Sequence, residues 1–178
     1  VFRYELAPDG TGKITGKVSP GGKRSDHHLT LSQDGATGTF AGEVVGVVNQ
    51  IHFWDFRKPD QKQQNPIPLP SRNLTSTVQM APSYNSKTGL IAFEAWKRPG
   101  STGRWDVLLY DIAKQQLVDT PSLNSPKFDE RKPALSPDGN WLAFTTNETS
   151  KDSLTDIRLY DRRRSKLIAT PGLNSTSM

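Results

Sequence analysis

A unit of about fifty residues recurs along this chain, and a repeat of that length restricts the possible folds more than any other feature of the sequence. The segment from Asp106 to Asn124 aligns without a gap with the segment from Asp156 to Asn174, at an offset of 50 residues. Upstream of these, the run ERKPALSPDGNWLAF ending at Phe144 matches TVQMAPSYNSKTGLIAF ending at Phe93. The chain therefore contains two complete consecutive units.

A third and more diverged copy precedes these two, between Asp26 and Asn73. An aromatic residue followed by an acidic residue marks the same point of every copy, at Trp54-Asp55, Tyr110-Asp111 and Tyr160-Asp161. Tyr4-Glu5 lies 50 residues before the first pair, so the chain opens midway through a unit. We predict one domain over 1–178, with a half unit over 1–25 and full units over 26–73, 77–124 and 130–174.

Each unit has the pattern of four short β-strands joined by turns. In SPDG, from Ser136 to Gly139, the proline presets the backbone of the first central turn position and the glycine accepts a positive φ. The runs WLAF and IRLY carry large apolar or aromatic side chains on both alternating faces. Both faces of such strands must be covered by other parts of the protein, which happens where β-sheets stack side by side. We therefore predict an all-β fold.

These motifs resemble a known repeat. The run ALSPDGNWLAFTTN followed by DIRLYDRRRSKLIATP is similar to the repeat of TolB-like β-propellers, also described as WD40-like or PD40-type. The resemblance extends over nearly the whole chain and is weakest in 26–73, where Gln33 replaces the proline. It implies blades of four antiparallel strands, about 3.5 of them here. The family includes periplasmic translocation proteins, peptidase-associated propellers and polysaccharide lyases.

The number of blades is smaller than a closed ring needs. Propellers usually close with four to eight blades, and an end blade with no neighbour leaves apolar surface in water. We expect either that a second copy of the chain completes the ring, or that the sequence is part of a longer propeller. Both hypotheses remain open at this point.

Composition restricts the partners. The net charge of +5, from 23 basic and 18 acidic residues, is too dilute to indicate nucleic acid, which we do not expect as a partner. No apolar run approaches the roughly 18 residues of a spanning helix, so we predict no membrane span. The chain has no cysteine, and Val1 is not a translation start, so we expect any targeting segment to lie outside this sequence. The resemblance implies a periplasmic or secreted protein.

The propeller geometry implied by the resemblance places the variable loops on one face, where binding usually occurs on a rigid scaffold. Tryptophan and arginine are typical interface anchors, and the candidate binding residues there are Trp96, Arg98, Arg104, Trp105, Lys127, Phe128 and Arg131. Trp105 immediately precedes a strand, and the alternative is that it only packs between blades.

The opposite face carries the turns within each blade. It gathers the basic residues Arg57, Lys58, Lys114, Arg162, Arg163, Arg164 and Lys166, which could face an acidic protein, phosphate or an anionic lipid surface. The alternative is a solvated rim of turns.

No catalytic, cofactor or metal site is predicted. The sequence lacks G-x-S-x-G, H-E-x-x-H, Walker and EF-hand motifs. His27 and His28 are adjacent, and adjacent side chains of a strand point to opposite faces, so a bulge would be needed for both to bind one metal ion. His52 lies within a predicted strand and is interpreted as a packed residue.

The favoured function is a non-catalytic scaffold, periplasmic or otherwise exported from a bacterium, that binds another protein through the loop face or the central opening. The alternatives are a propeller accessory to a peptidase or polysaccharide lyase, and a carbohydrate-binding propeller whose glycan contacts involve Trp96 or Trp105.

Overall fold

The structure is a computed structural model that describes residues 2–6, 8, 12–17, 26–44, 47–55, 57, 78–96, 104–147 and 156–170. Every regular element within these residues is a β-strand, and the strands form four separate antiparallel sheets. In each sheet, strands that follow each other in sequence are also neighbours in space. The all-β prediction is confirmed.

The first sheet is an N-terminal hairpin of β1 (Phe2–Leu6) and β2 (Gly12–Lys17). Blade I contains β3 (Asp26–Leu31), β4 (Thr37–Val44) and β5 (Val47–Asp55). Blade II contains β6 (Val78–Asn85), β7 (Leu90–Trp96), β8 (Trp105–Asp111) and β9 (Gln116–Leu117). Blade III contains β10 (Glu130–Leu135), β11 (Trp141–Thr146), β12 (Asp156–Asp161) and β13 (Lys166–Ile168).

Blades II and III each have the four antiparallel strands that the repeat predicts. In blade I, the fourth strand of the predicted unit 26–73 falls outside the described residues. The strands lie inside the predicted units, and the exact unit ends stay predictions.

The first turn of blades I and III is built by the same side chains. Ser136 Oγ donates to Asp138 Oδ1 at 2.6 Å and accepts the Trp141 N–H at 2.9 Å. In blade I, Ser32 donates to Asp34 at 2.6 Å and accepts the Thr37 N–H at 2.9 Å. Gly35 and Gly139 have φ values of 64° and 68°, which glycine adopts without strain. The turn therefore needs serine, aspartate and glycine, and tolerates glutamine in place of proline.

The first strand of every blade contains a bulge at the same place. His28, Ala81 and Lys132 have positive φ values of 57°, 46° and 51°, and the strand register shifts there. Next to these bulges, neighbouring first strands are joined by hydrogen bonds. Thr30 Oγ1 donates to the Pro82 carbonyl at 2.7 Å, and the Leu135 N–H donates to Ser83 Oγ at 2.9 Å. The bulges thus lie where one blade is fastened to the next.

Two apolar clusters fill the spaces between the blades. Between blades I and II, Ile51 packs with Ile91, Phe93 and Tyr110. Between blades II and III, equivalent positions repeat the pattern with Leu142, Phe144 and Tyr160 packed on Leu90, Ala92, Val107 and Leu109. Tyr110 and Tyr160 therefore occupy the same environment in successive blades, as the 50-residue offset predicts.

Blade III has a second face, which points away from blade II, and among the described residues no blade packs against that face. Val107 is fully buried in blade II, whereas its counterpart Ile157 is 39% exposed. Ala143 and Leu159 are half-buried, whereas their counterparts Ala92 and Leu109 are buried. We call Ala143, Ile157 and Leu159 the outer flank of blade III. The same sequence positions are thus core in one blade and surface in the next.

This difference predicts unequal costs for one substitution made at two equivalent positions. Leu109→Ala should lower the free energy of unfolding by about 3 kcal/mol, because it opens a cavity in a packed interblade cluster. Leu159→Ala should cost less than about 1 kcal/mol, because its side chain is partly in water already. Urea unfolding of both variants measures the costs, and equal losses would show that the outer flank is covered.

Candidate functional site

Most of the predicted binding residues meet at one end of blades II and III. Trp96 ends β7, Trp105 begins β8, and the two are paired across the strands with ring centroids 6.4 Å apart. Arg131 lies near the start of β10, and its guanidinium carbon is 4.3 Å from the centroid of the Trp105 ring. We call Trp96, Arg104, Trp105, Lys127, Phe128 and Arg131 the loop-face cluster. Arg98 lies outside the described residues.

An ion pair between a half-buried arginine and a buried glutamate holds this cluster across the blade interface. Arg131 of blade III donates from Nε and Nη2 to Glu94 Oε2 of blade II, at 3.1 and 2.9 Å. The other oxygen of Glu94 accepts the Lys132 N–H at 2.7 Å. Glu94 is buried away from water, and each of its two carboxylate oxygens accepts hydrogen bonds from blade III. Because Arg131 also stacks on Trp105, one guanidinium fixes two strands of the preceding blade.

Trp105 contacts Arg131 of the next blade, which is the kind of contact that the alternative of packing between blades expects. Trp105 and Arg131 are half-buried and already engaged with each other. The side chains with surface left for a partner are those of Lys127, which is exposed, and of Trp96 and Phe128, which are half-buried. We call the engaged pair of Trp105 and Arg131 the rigid base of the cluster, and we call Trp96, Lys127 and Phe128 its accessible edge.

Hydrogen bonds also fix the segment that connects blade II to blade III. The Trp105 N–H donates to Asp129 Oδ1 at 3.0 Å, and the Asp129 N–H donates to Asn147 Oδ1 at 2.8 Å. Arg104 donates from Nη1 to the Lys127 carbonyl. Sequence reasoning missed Glu94, Asp129 and Asn147, which do not recur at the repeat period. Their only local signal was a polar residue close to the end of a strand.

Glu130 lies under this segment as a buried acid at the start of β10. Its Oε1 accepts the Ser125 N–H at 3.0 Å, whereas Oε2 has no hydrogen-bond partner among the described residues. Burial raises the pKa of Glu130 to about 7, with Asp106 and Asp129 adding to the rise and the Ser125 N–H and Arg104 opposing it. The carboxyl therefore gains or loses its proton near neutral pH.

The predicted basic turn residues lie at the other end of the sheets. Pairing of β6 with β7 and of β8 with β9 places both turns of blade II at the same edge, as the repeat predicts. Each blade pairs its cations with the acid of its aromatic–acid pair, through Asp55–Arg57 at 2.8 Å and Asp111–Lys114 at 3.3 Å in blades I and II. In blade III, Asp161 is the ion-pair partner of both Arg163 and Arg164. Lys58 lies outside the described residues.

The histidines occupy the positions that the sequence indicates. His52 is buried and stacks on Phe40, with ring centroids 5.1 Å apart. The register shift after His27 supplies the bulge that adjacent histidines would need, yet no group of three or more metal-ligating side chains occurs within the described ranges. Nor does that part of the chain hold a helix long and apolar enough to cross a membrane.

Glu130 makes stability depend on pH in a defined direction. Because its folded pKa of about 7 exceeds the ordinary value of 4.5, its stabilising contribution is complete below pH 4.5 and is lost as the pH rises through 7. Relative to Glu130→Gln, the native chain should lose roughly 3 kcal/mol of unfolding free energy between pH 4.5 and 8.5. Urea unfolding at both pH values measures this, and a pH-independent difference between the two proteins would contradict it.

No family model and no curated protein matches the sequence. Among solved structures, TolB from Acinetobacter baumannii is similar with a TM-score of 0.58 and 15% identity, over 93% of this chain and 36% of that chain. A protein assigned as TolB from Agrobacterium tumefaciens has a TM-score of 0.61 and 16% identity, over 93% of this chain and 53% of that one. This chain thus spans about a third to a half of the TolB structures.

A prolyl endopeptidase is also similar, with a TM-score of 0.52 and 16% identity, over 89% of this chain and 22% of that chain. At such identities the likeness shows the fold alone. Together with the stacked four-stranded sheets, it confirms that this chain folds as blades of a TolB-like β-propeller.

Proposed function

We propose that this chain is a non-catalytic scaffold that binds another protein through the accessible edge of the loop-face cluster. The observation that supports the proposal most directly is the rigid base of the cluster. There, Arg131 of blade III contacts both Glu94 and Trp105 of blade II. A surface fixed in this way loses little entropy when a partner binds, which favours affinity.

The accessible edge has the composition of a protein-binding surface. Trp96 and Phe128 leave aromatic surface in water, and the exposed Lys127 precedes Phe128 on the segment that leads into blade III. Aromatic side chains are frequent anchors of protein interfaces. Arg104 holds the Lys127 backbone in place, so the edge is presented on fixed backbone.

The likeness to TolB from two bacteria supports the proposal of an exported, periplasmic bacterial protein. A chain without cysteine is compatible with that compartment and with the cytoplasm.

A second candidate is a propeller accessory to a peptidase, which the likeness to a prolyl endopeptidase favours. The two candidates differ in what the same gene encodes. A hydrolase domain in the same polypeptide would favour the peptidase accessory, whereas a propeller encoded with a signal peptide and no enzyme domain would favour the binding scaffold.

Site-specific photo-crosslinking tests the binding proposal. The photoreactive residue p-benzoylphenylalanine is placed at Trp96 or Lys127 in cells that naturally contain the protein. Both positions should yield an adduct with the same protein, because both lie on the accessible edge. Ala113, which is exposed in the turn at the opposite end of blade II, is the matched control and should yield none.

The crosslinking result can contradict the proposal in two ways. Absence of any protein adduct at Trp96 and Lys127, or the same adduct at Ala113, would reject this face as the binding surface. A glycan array on which binding is lost with Trp96→Ala, without protein adducts, would instead indicate a carbohydrate-binding propeller.

We further propose that another blade of the same repeat covers the outer flank of blade III. Inside this chain, the equivalent side chains Val107 and Leu109 are covered by the following blade. The covering blade would come from a second copy of the chain or from further blades of a longer protein.

The mass in solution separates these two sources. Light scattering that gives twice the chain mass of 19.7 kDa, reduced to the single mass by Ile157→Asp, would support a second copy. A stable single mass at all concentrations would exclude the second copy and leave further blades of a longer protein.

A further inference from the structure

The turn between β12 and β13 carries more positive charge than its counterparts. It contains one acid, Asp161, and four basic residues, Arg162, Arg163, Arg164 and Lys166. In blade II the equivalent turn contains Asp111 and Lys114, and the two form an ion pair at 3.3 Å. The blade II turn is therefore neutral, whereas this turn, which we call the basic turn, has a net charge of +3 from four cations and one anion.

Blade architecture does not require this excess. Blade I satisfies the same position with one arginine, since Arg57 donates to both oxygens of Asp55 at 2.8 and 3.0 Å. In all three blades, the acid of the aromatic–acid pair also accepts backbone N–H groups of its own turn. One cation, at most, is needed to balance each acid, so the basic turn carries more cations than Asp161 needs.

The geometry leaves the surplus cations available. Asp161 is fully buried and uses Oδ1 for the N–H groups of Arg163 and Arg164, at 2.9 and 3.2 Å. The guanidinium Nε atoms of these arginines are 3.8 and 3.7 Å from Asp161, longer than a hydrogen bond, and the side chains are 62% and 69% exposed. Arg162 is held by the Gly139 carbonyl, and Lys166 is exposed. Arg163, Arg164 and Lys166 therefore expose most of their side chains to solvent from a fixed turn.

An apolar side chain accompanies the cations. Leu167 follows Lys166 and is exposed, whereas its blade II counterpart Leu117 packs against the interblade cluster. Exposed leucine beside arginine and lysine is the combination that binds the interface of an anionic bilayer, where cations meet phosphate groups and apolar side chains reach the acyl region. A purely acidic peptide would have no use for the leucine.

We propose that the basic turn and Leu167 form a docking surface for anionic phospholipid membranes. Guanidinium groups bind phosphate through paired donors, so the headgroup phosphate is the chemical group recognised. The surface lies at the opposite end of the sheets from the loop-face cluster, because β12 runs from Asp156 to Asp161 and ends at the basic turn. A membrane bound at this end would leave the loop face free for a protein.

Vesicle co-sedimentation of the 178-residue chain tests the proposal. Vesicles of phosphatidylcholine and phosphatidylglycerol are compared with pure phosphatidylcholine vesicles, and each basic residue near the anionic surface should raise the partition coefficient about fivefold. The chain should bind only the anionic vesicles. The double variant Arg164→Gln/Lys166→Gln should lower the partition coefficient by about 25-fold. Arg163 is left unchanged because it lies over Trp141.

The matched control removes the same charge from the same face of blade II. Lys87→Gln/Lys114→Gln should lower the partition coefficient by less than about threefold, because these lysines lie outside the basic turn. Equal losses in the two double variants would show attraction by net charge alone and would overturn the proposal. So would failure of the native chain to bind anionic vesicles.

Two further arms separate other sources of the anion. Binding of millimolar inorganic phosphate without binding to vesicles would indicate a free-phosphate site and reject the membrane surface. Tighter binding to a polyglutamate peptide than to vesicles would indicate an acidic protein partner and would reject it as well. None of these outcomes bears on the loop-face cluster, whose crosslinking test uses other residues.

Discussion

Apolar contact between neighbouring blades is the interaction on which the rest of this structure depends. No single blade can bury both faces of a four-stranded sheet, so Tyr110 and Tyr160 become buried only against the blade that precedes each of them. The hydrogen bonds at the bulges, such as Thr30 to the Pro82 carbonyl, fasten the first strands of adjacent blades in the register that this packing requires. Stability should therefore depend on neighbours, as in other repeat proteins.

The same dependence shapes both proposed surfaces. Arg131 can fix Glu94 and Trp105 only because blade III is held against blade II, so the loop-face cluster exists at an interface and in no blade alone. The basic turn, in contrast, belongs to blade III and is organised locally by the buried carboxylate of Asp161. The loop-face cluster thus depends on the packing of two blades, whereas the basic turn depends only on the sequence of one turn.

The sequence predicted the structural features that are local or periodic, but it did not predict the contacts between residues that are far apart in the chain. The turn at Ser136–Gly139 and the shared place of Tyr110 and Tyr160 follow from turn chemistry and from a constant offset. The Arg131–Glu94 pair joins residues 37 positions apart and occurs once, so no periodic signal could identify it. The bulge at His28 was named only as a condition for metal binding, although the structure repeats it at Ala81 and Lys132 as a part of blade packing.

Hydrogen–deuterium exchange, at a concentration where light scattering gives the single chain mass, tests the central claim most directly, because it compares equivalent strands that differ only in cover. The account predicts slower exchange for the amides of β7 and β8, which have a blade on each side, than for those of β11 and β12, which have one. Equal protection of the two blades would contradict the claim that burial against neighbours holds each blade in place.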